Sequence, residues 1–247
     1  MIESYGLISD LDDTLLGDHD ALVEFARYHE RHRDRLALAY ASGRTTESLA
    51  RVIQSTPLPA PDMIVAAVGT DIRRYPDLAT VTGWHERVSP RWNADRIREV
   101  LGADDGLVPQ PDSEQSAYKV SYYIEGAVRG RLRALSARLE AAGLEADLVY
   151  SSNRDLDFLP PGVNKGTAAA YVAALWGLPH DRVFVAGNSG NDIDLFRHGF
   201  LGIVVANAHE ELKALAGPRI HVAAQSHARG VVAGMGYWID RLAQGPV

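Results

Sequence analysis

The stretch Gly6-Leu7-Ile8-Ser9-Asp10-Leu11-Asp12-Asp13-Thr14 joins an apolar run directly to a cluster of carboxylates. The apolar run predicts a buried strand, so the acidic cluster falls at a carboxyl end, where open α/β sheets bind their ligands. Residues two apart on an extended backbone project from one face, which places Asp10 beside Asp12. Such a pair can divide phosphoryl transfer, with Asp10 as nucleophile and Asp12 as acid and base. An acidic turn is the alternative interpretation.

The same alternation of apolar runs and amphipathic stretches continues along the chain and predicts an α/β fold with a parallel, helix-covered sheet. The segment 21–33 has the periodicity of a helix that buries one face. Further buried strands are predicted at 36–41, 63–68, 182–186 and 202–205.

The pattern changes near Trp84, where a polar, proline-containing stretch precedes alternating strands. We therefore expect a Rossmann-like core from 1–84 and 161–247, with an inserted α/β domain at 85–160. Hinges are expected near Gly83 and Pro160-Pro161, so that the insertion can close over the core. Elements of the insertion are predicted at 119–124, 128–142, 148–150 and 156–159.

Composition excludes several classes of function. The chain has 247 residues, a net charge of -7 and no basic patch, so neither nucleic acid nor an anionic membrane is an expected partner. The absence of cysteine excludes disulfides, thiolate metal sites and cysteine nucleophiles. No apolar segment approaches the ~20 residues that span a bilayer, and the first residues lack the pattern of a signal peptide. We expect a cytoplasmic protein.

Two further motifs have the chemistry of a phosphate site. Ser42-Gly43-Arg44 follows the second predicted strand and begins a helix, where a hydroxyl and backbone amides can meet an anion. Lys165 precedes another helix and can neutralise phosphate charge. A serine N-cap with an exposed arginine, and a solvated lysine, are the respective alternatives.

The loop Gly187-Asn188-Ser189-Gly190-Asn191-Asp192 follows a fourth strand. Carboxylate and amide oxygens from Asp10 and this loop are the ligands that Mg²⁺ prefers. A glycine- and asparagine-rich turn is the alternative. The decisive observation is the co-occurrence of four such motifs at strand ends, in this order.

Together these motifs resemble those of the haloacid dehalogenase superfamily of phosphatases. The segments Leu7 to Asp12, Leu38 to Arg44 and Asn164-Lys165-Gly166 are similar to those of its sucrose-phosphate phosphatase branch, which carries an inserted α/β cap. The resemblance implies Asp10 as nucleophile and Asp12 as acid and base. It implies phosphate ligands at Ser42, Gly43, Arg44, Lys165 and Asn191, and a Mg²⁺ site at Asp10, Asp12, Asn188 and Asp192. The family usually has Asp where this chain has Asn188, so weaker metal binding is expected.

Polar side chains of the insertion are candidates for binding the sugar. Lys119, Ser121 and Tyr123 share one face of a predicted strand, and Asp155 and Asp157 share one face of another. A solvated outer face is the alternative. The segments that contain them resemble the glucosyl-binding strands of sucrose-phosphate phosphatases, which favours a disaccharide phosphate.

We therefore expect a Mg²⁺-dependent phosphomonoesterase that acts on a small-molecule sugar phosphate, with sucrose 6-phosphate first. A mannosylfructose-phosphate phosphatase, a phosphomutase, and a weakened binding protein motivated by Asn188 are the alternatives. A monomer is expected, and an upstream glycosyl-phosphate synthase is a candidate partner. The tryptophans Trp84, Trp92, Trp176 and Trp238 are assigned to packing.

Overall fold

A seven-stranded sheet forms the centre of the molecule, whose computed structural model describes residues 4–88, 90, 92–102, 106–126 and 129–245. Its strands are β1 (Tyr5–Ser9), β2 (Leu36–Ala41), β3 (Met63–Ala66), β4 (Asp71–Arg74), β9 (Val183–Gly187), β10 (Leu201–Val204) and β11 (Ile220–Val222). They lie in the order β11-β10-β9-β1-β2-β3-β4. All these neighbours pair in parallel except β3 and β4, which are antiparallel. The α/β prediction with a mostly parallel sheet is confirmed.

A second, antiparallel sheet lies in the middle of the chain. Its strands are β5 (Val108–Pro109), β6 (Val120–Tyr123), β7 (Asp147–Ser151) and β8 (Asp155–Leu159). They lie in the order β5-β6-β8-β7. In this register Ser121 pairs with Asp157, and Tyr123 pairs with Asp155. The predicted sugar-binding side chains of the two strands therefore share one face of the sheet.

Helices connect and cover the strands. In the described ranges they are α1 (His19–His32), α2 (Thr46–Ser55), α3 (Thr82–Val88), α4 (Ala94–Leu101), α5 (Arg129–Ala141), α6 (Lys165–Trp176), α7 (Glu210–Lys213) and α8 (His227–Gln244). Helix α1 begins two residues before the predicted start, because the Asp18 carboxylate accepts a hydrogen bond from the amide of Ala21 and caps the helix. None of these helices combines the length and apolar character needed to cross a membrane.

Two separate hydrophobic cores accompany the two sheets. The main core includes Trp84 and Val88 of α3, whereas the second begins with Ile97 of α4 and ends with Phe158 of β8. Val163 again belongs to the main core. The chain therefore passes from one core to the other between 88 and 97 and returns between 158 and 163. The predicted boundary at 84 lies inside α3.

The structure shortens one predicted strand and adds others. The strand predicted at 63–68 ends at Ala66, because Ala67, Val68 and Gly69 take left-handed backbone conformations and reverse the chain into β4. Strand β4 is too polar, and strands β5 and β11 are too short, for their patterns to identify them. The start of the predicted 128–142 helix, Val128, lies outside the described residues.

Candidate active site

The site lies where three adjacent parallel strands end. Asp10 follows β1, Ser42 follows β2, and Asn188 follows β9. Because β1 lies between β2 and β9, the three carboxyl ends meet at one edge of the sheet. Lys165 is the first residue of α6, which packs across β1, β2 and β3. The four predicted motifs are therefore brought together.

A buried charge cluster forms the floor of the site. The ammonium group of Lys165 donates to Asp10 Oδ1 at 2.7 Å, to Asp192 Oδ1 at 2.7 Å and to Asn191 Oδ1 at 3.1 Å. The Lys165 side chain is fully buried, and only 7% of the Asp10 side chain is exposed. A solvated lysine is thus the wrong alternative here.

The environment of this cluster shifts its titration. The pKa of Asp10 is raised to about 7, mainly by burial and next by the neighbouring charge of Asp192, while Lys165 opposes both. Burial by itself lowers the pKa of Lys165, but the two adjacent carboxylates outweigh that effect and raise it. Lys165 is therefore cationic, and further positive charge near Asp10 would favour the ionised nucleophile.

Asp192 organises the loop instead of lining the cavity. It is fully buried, and its Oδ2 accepts hydrogen bonds from the backbone amides of Asn188 at 3.0 Å and Ser189 at 3.1 Å. Its Oδ1 is bound by Lys165. Both oxygens are engaged, so Asp192 is placed to hold Lys165 and the loop in position. Its role as a direct metal ligand stays a prediction.

The side chain of Arg44 forms an ion pair with Asp12. Its guanidinium donates to Asp12 Oδ2 at 2.8 Å and to Asp12 Oδ1 at 2.6 Å, in the two-pronged geometry typical of arginine with a carboxylate. The pair is partly exposed, with 33% of the Arg44 side chain and 49% of the Asp12 side chain accessible. Arg44 therefore orients Asp12 here, and its predicted contact with phosphate stays a prediction.

Hydrogen-bond donors gather between the Ser42 loop and the Asn191 amide. The buried Ser42 hydroxyl accepts from the amide of Arg44 at 3.2 Å and keeps its own proton to donate. Asn191 Oδ1 accepts from Lys165, and a Cβ atom at Gly43 would lie 3.8 Å from Asn191 Nδ2. These groups, predicted to hold phosphate, thus lie close together.

Residues with carboxylate and amide oxygens line the part of the cavity where a cation is predicted. Asp10, Asp12, Asp13 and Asn188 line the same cavity. Asn188 is buried, and its Oδ1 accepts from the Thr14 hydroxyl at 3.1 Å. Among the described residues, no three His, Cys, Asp or Glu side chains gather as a metal cluster. A donor set of one or two carboxylates, a carbonyl and an amide still fits Mg²⁺, which keeps several waters.

The second sheet closes the site from the other side. A cavity of about 400 Å³ lies between the strand ends and this sheet, and its lining includes Lys119, Tyr123, Asp155 and Asp157. Lys119 is buried, and its Nζ lies 3.2 Å from the Gly43 carbonyl oxygen and 3.5 Å from Asp157 Oδ1. The buried Ser121 hydroxyl donates to Asp157. This face is turned toward the cavity, so the solvated-face alternative is wrong.

Several lining residues were not identified from the sequence. The cavity is also bordered by Gln110, Glu114, Ser151, Ser152, Arg154 and His209. Arg154 lies 4.7 Å above the ring of Tyr123. It falls within the Ser151 to Asp157 segment already singled out, so its proximity to Asp155 was an available signal. Gln110 and His209 lie in irregular segments without a pattern that could indicate a site.

Comparison with known proteins finds one matching family. The sequence profile of the sucrose-6F-phosphate phosphohydrolase family matches residues 4–239. Mannosylfructose-phosphate phosphatase from Agrobacterium fabrum is 32% identical over 237 residues, which cover 94% of this chain and 96% of that protein. Sucrose-phosphatase 2 from Nicotiana tabacum is 31% identical over 94% of this chain, and the match spans 58% of the length of the tobacco protein.

Solved structures match over nearly the whole chain. The sucrose-phosphatase of a Synechocystis species, determined in complex with sucrose and phosphate, has a TM-score of 0.89 and 30% sequence identity and covers 96% of this chain and 99% of its own. A subclass IIB sugar phosphatase of the haloacid dehalogenase superfamily has a TM-score of 0.67 at 14% identity, which shows the shared fold alone.

Proposed function

Because the chain belongs to the sucrose-6F-phosphate phosphohydrolase family of haloacid dehalogenase phosphatases, we propose that it hydrolyses the phosphate monoester of a disaccharide. Sucrose 6-phosphate is the first candidate substrate and mannosylfructose phosphate is the second. The observation that carries the proposal is the buried Asp10–Lys165–Asp192 cluster, which opens into a polar cavity roofed by the second sheet.

The proposed reaction begins at Asp10. Its Oδ1 is bound by Lys165, so attack on phosphorus falls to Oδ2. A bond forms between that oxygen and phosphorus while the bond from phosphorus to the sugar oxygen breaks. Asp12 enters this step protonated and released from its paired contact with Arg44, and donates its proton to the departing sugar oxygen. The product of this step is an aspartyl phosphate on Asp10 and a free sugar.

Water completes the cycle. Asp12, now ionised, takes a proton from a water molecule, whose oxygen attacks the phosphorus of the aspartyl phosphate. The bond between phosphorus and Asp10 breaks, which releases inorganic phosphate and restores both carboxyl groups. Lys165, the Ser42 hydroxyl and the Asn191 amide stabilise the charge on the phosphoryl oxygens throughout.

A Mg²⁺ ion is the proposed cofactor. The carboxylate of Asp10, the backbone carbonyl of Asp12 and the amide oxygen of Asn188 would hold it, with Asp192 acting through the loop. When bound, Mg²⁺ supplies positive charge that draws the phosphate toward Asp10 and offsets repulsion between the two anions. This role is supported by the oxygen donors on the cavity wall.

We assign substrate specificity to the inserted unit at 85–160 and catalysis to the core at 1–84 and 161–247. The separate hydrophobic cores support this division. The proposed sugar-binding residues are Lys119, Tyr123, Asp155 and Asp157, which line the cavity, together with Ser121, whose buried hydroxyl does not line it but donates to Asp157. A monomeric state and a partner synthase remain predictions.

Phosphate release tests the proposal. Sucrose 6-phosphate, mannosylfructose phosphate and simple hexose phosphates would each be assayed across a Mg²⁺ titration, with Asp10→Asn as the control. We expect release from one disaccharide phosphate, lost in the control. Release that needs an activating bisphosphate would indicate a phosphomutase instead.

A second candidate function is supported by Asn188. A neutral amide replaces the carboxylate that the family usually has at this position, so the charge that binds Mg²⁺ is reduced. Binding of the sugar phosphates without release of phosphate at high Mg²⁺ would establish a sugar-phosphate binding protein in place of the phosphatase.

A further inference from the structure

The turn that follows β3 is strained. Ala67, Val68 and Gly69 have φ angles of 49°, 59° and 103°, all in the left-handed region. Glycine adopts such angles freely, but a β-branched residue such as valine adopts them at a cost. All three residues are buried. A conformation of this kind persists when the surrounding structure holds it in place.

The strained turn is hydrogen-bonded to the backbone of the loop Ser42-Gly43-Arg44, which is predicted to bind phosphate. The amide of Ala67 donates to the Arg44 carbonyl at 2.7 Å, and the amide of Val68 donates to the Ser42 carbonyl at 3.0 Å. Consecutive left-handed residues thus direct two neighbouring N–H groups at the backbone that carries the Ser42 hydroxyl. A movement of this turn would move the predicted phosphate ligands with it.

The same turn presses on the segment that carries the buried lysine. A Cβ atom at Gly69 would lie 2.3 Å from the carbonyl oxygen of Asn164 and 2.9 Å from the amide nitrogen of Lys165. Backbone meets backbone here, with no flexible side chain between them. The turn therefore touches both segments that supply cationic or hydroxyl groups to the phosphate.

The side chain of Trp84 is hydrogen-bonded to the turn. Trp84 of α3 is 3% exposed, and its indole Nε1 donates to the Gly69 carbonyl oxygen at 2.9 Å. Its ring packs 5.2 Å from that of Tyr171 on α6, the helix that begins with Lys165. Helix α3 is also the last element of the main core before the chain enters the second one.

We propose that Trp84 is a positioning residue for phosphate binding, acting through the turn 67–69 on the Ser42 loop and on Lys165. The inference rests on the phosphate site of the proposed function and does not depend on which sugar is bound. The hydrogen bond from the indole to the Gly69 carbonyl stabilises the strained conformation of the turn. The amides of Ala67 and Val68 then keep the Ser42 loop in the position that phosphate binding requires.

The test compares two buried tryptophans with the same local bonding. Trp238 is 1% exposed, and its Nε1 donates to the Gly202 carbonyl at 2.9 Å, near the amino end of β10 and away from the site. Trp84→Phe and Trp238→Phe each remove one indole donor from a glycine carbonyl. The affinity for inorganic phosphate would be measured by calorimetry at saturating Mg²⁺, with kcat and KM for the best sugar phosphate.

We expect Trp84→Phe to weaken phosphate binding about fivefold, the factor of one lost hydrogen bond, and to raise KM alongside. Trp238→Phe should leave phosphate affinity within about twofold of wild type while lowering the melting temperature to a similar extent. Equal phosphate affinities in the two variants would overturn the positioning role. If Trp84→Phe does not fold, replacement of Trp84 by benzothienylalanine, which keeps the shape of the indole and lacks its N–H, gives the same comparison.

Failure of the two ideas can be told apart. A wild-type protein that binds inorganic phosphate but releases none from any ester would overturn the phosphatase proposal, and the phosphate affinities of the variants would still decide the role of Trp84. A wild-type protein that binds no inorganic phosphate would overturn both.

Discussion

At the scale of single residues, Lys165 neutralises two buried carboxylates of the site. Its ammonium group is completely buried between Asp10 and Asp192. Removing one member of a buried charge group leaves its partners uncompensated, which typically costs 3–5 kcal/mol. The lysine therefore stabilises the folded site as well as the phosphate.

We predict that Lys165→Met lowers the free energy of unfolding by about 3 kcal/mol in metal-free buffer and abolishes phosphate release. Urea denaturation measures the first effect. Lys213→Met is the matched control, because Lys213 pairs with the exposed Glu210 on one face of α7, and its loss should cost at most about 0.5 kcal/mol. Equal losses in the two variants would contradict the prediction.

Asn188 stands where the sequence resemblance predicts an aspartate. It is buried beside Thr14 and borders the cavity next to Asp10. A carboxylate there would add one negative charge to the proposed cation site. That charge would be repelled by the nearby carboxylates of Asp10 and Asp12, and only a bound cation would offset the repulsion.

We predict that Asn188→Asp tightens Mg²⁺ binding at least about tenfold, measured by calorimetry without substrate. Asn93→Asp is the control, because Asn93 caps α4 and a carboxylate serves equally well at that position. An affinity unchanged by Asn188→Asp would show that this position does not face the metal.

At the scale of elements, the residue that caps α6 directly precedes the buried Lys165. The Asn164 side chain accepts from the amide of Thr167, and the Thr167 side chain is bonded in return to the amide of Asn164. This reciprocal cap fixes where the helix begins. Because Lys165 is the first residue of the helix, the cap also fixes the position of the lysine backbone relative to the site.

Asn164→Ala should lower the free energy of unfolding by about 1 kcal/mol, the usual worth of an N-cap, and should also reduce kcat severalfold. Asn93→Ala removes a cap of the same type from α4 and should cost similar stability without changing kcat. Denaturation and steady-state kinetics on both variants separate the two effects. A kcat that falls equally in both would argue against a link between the cap and Lys165.

The elements themselves divide into those that the sequence predicted and those that it did not. Long apolar runs such as β1, β2 and β9 are buried on both faces and are evident from composition. The end of β3 was misplaced by two residues, because Val68 favours strands and sits instead in a left-handed turn. Tertiary contacts to Ser42 and Trp84 override that preference.

At the scale of the whole molecule, Lys119 is a side chain of the inserted unit that reaches the core. Lys119, which directly precedes β6, reaches the Gly43 carbonyl of the core with its ammonium group. Asp157 Oδ1 lies 3.5 Å from the same ammonium group. The structure is therefore in an arrangement in which the second sheet covers the site. The predicted hinge near Gly83 does not fit the structure, because Gly83 lies inside α3, which packs in the main core. The hinge expected at Pro160-Pro161 lies where the chain returns to the main core and stays a prediction.

We predict that Lys119→Met raises KM for the disaccharide phosphate about tenfold and increases the radius of gyration of the free protein in solution scattering, because the bridging cation is lost. Arg98→Met, which removes an exposed cation of the same unit, is the control. Identical scattering curves for Lys119→Met and wild type would contradict the bridging role.

The sequence by itself determined the fold class, the strand ends that carry the four motifs, and the identity of the residues expected to act there. The fold class and the strand ends follow from local periodicity and from the rule that parallel strands present their carboxyl ends at one edge. The roles expected of the residues there follow in part from the resemblance of the motifs to a known family. It also showed which side chains of the insertion share a strand face, since that depends on parity alone.

Only the tertiary structure decided which partners these residues have. Lys165 and Asp10 are 155 residues apart, and Lys119 and Gly43 are 76 apart. Whether Arg44 binds Asp12, whether Asp192 faces the cavity, and whether Val68 stays in a strand depend on distances between remote segments. A local pattern carries no information about those distances, because they are set by how the helices and both sheets pack.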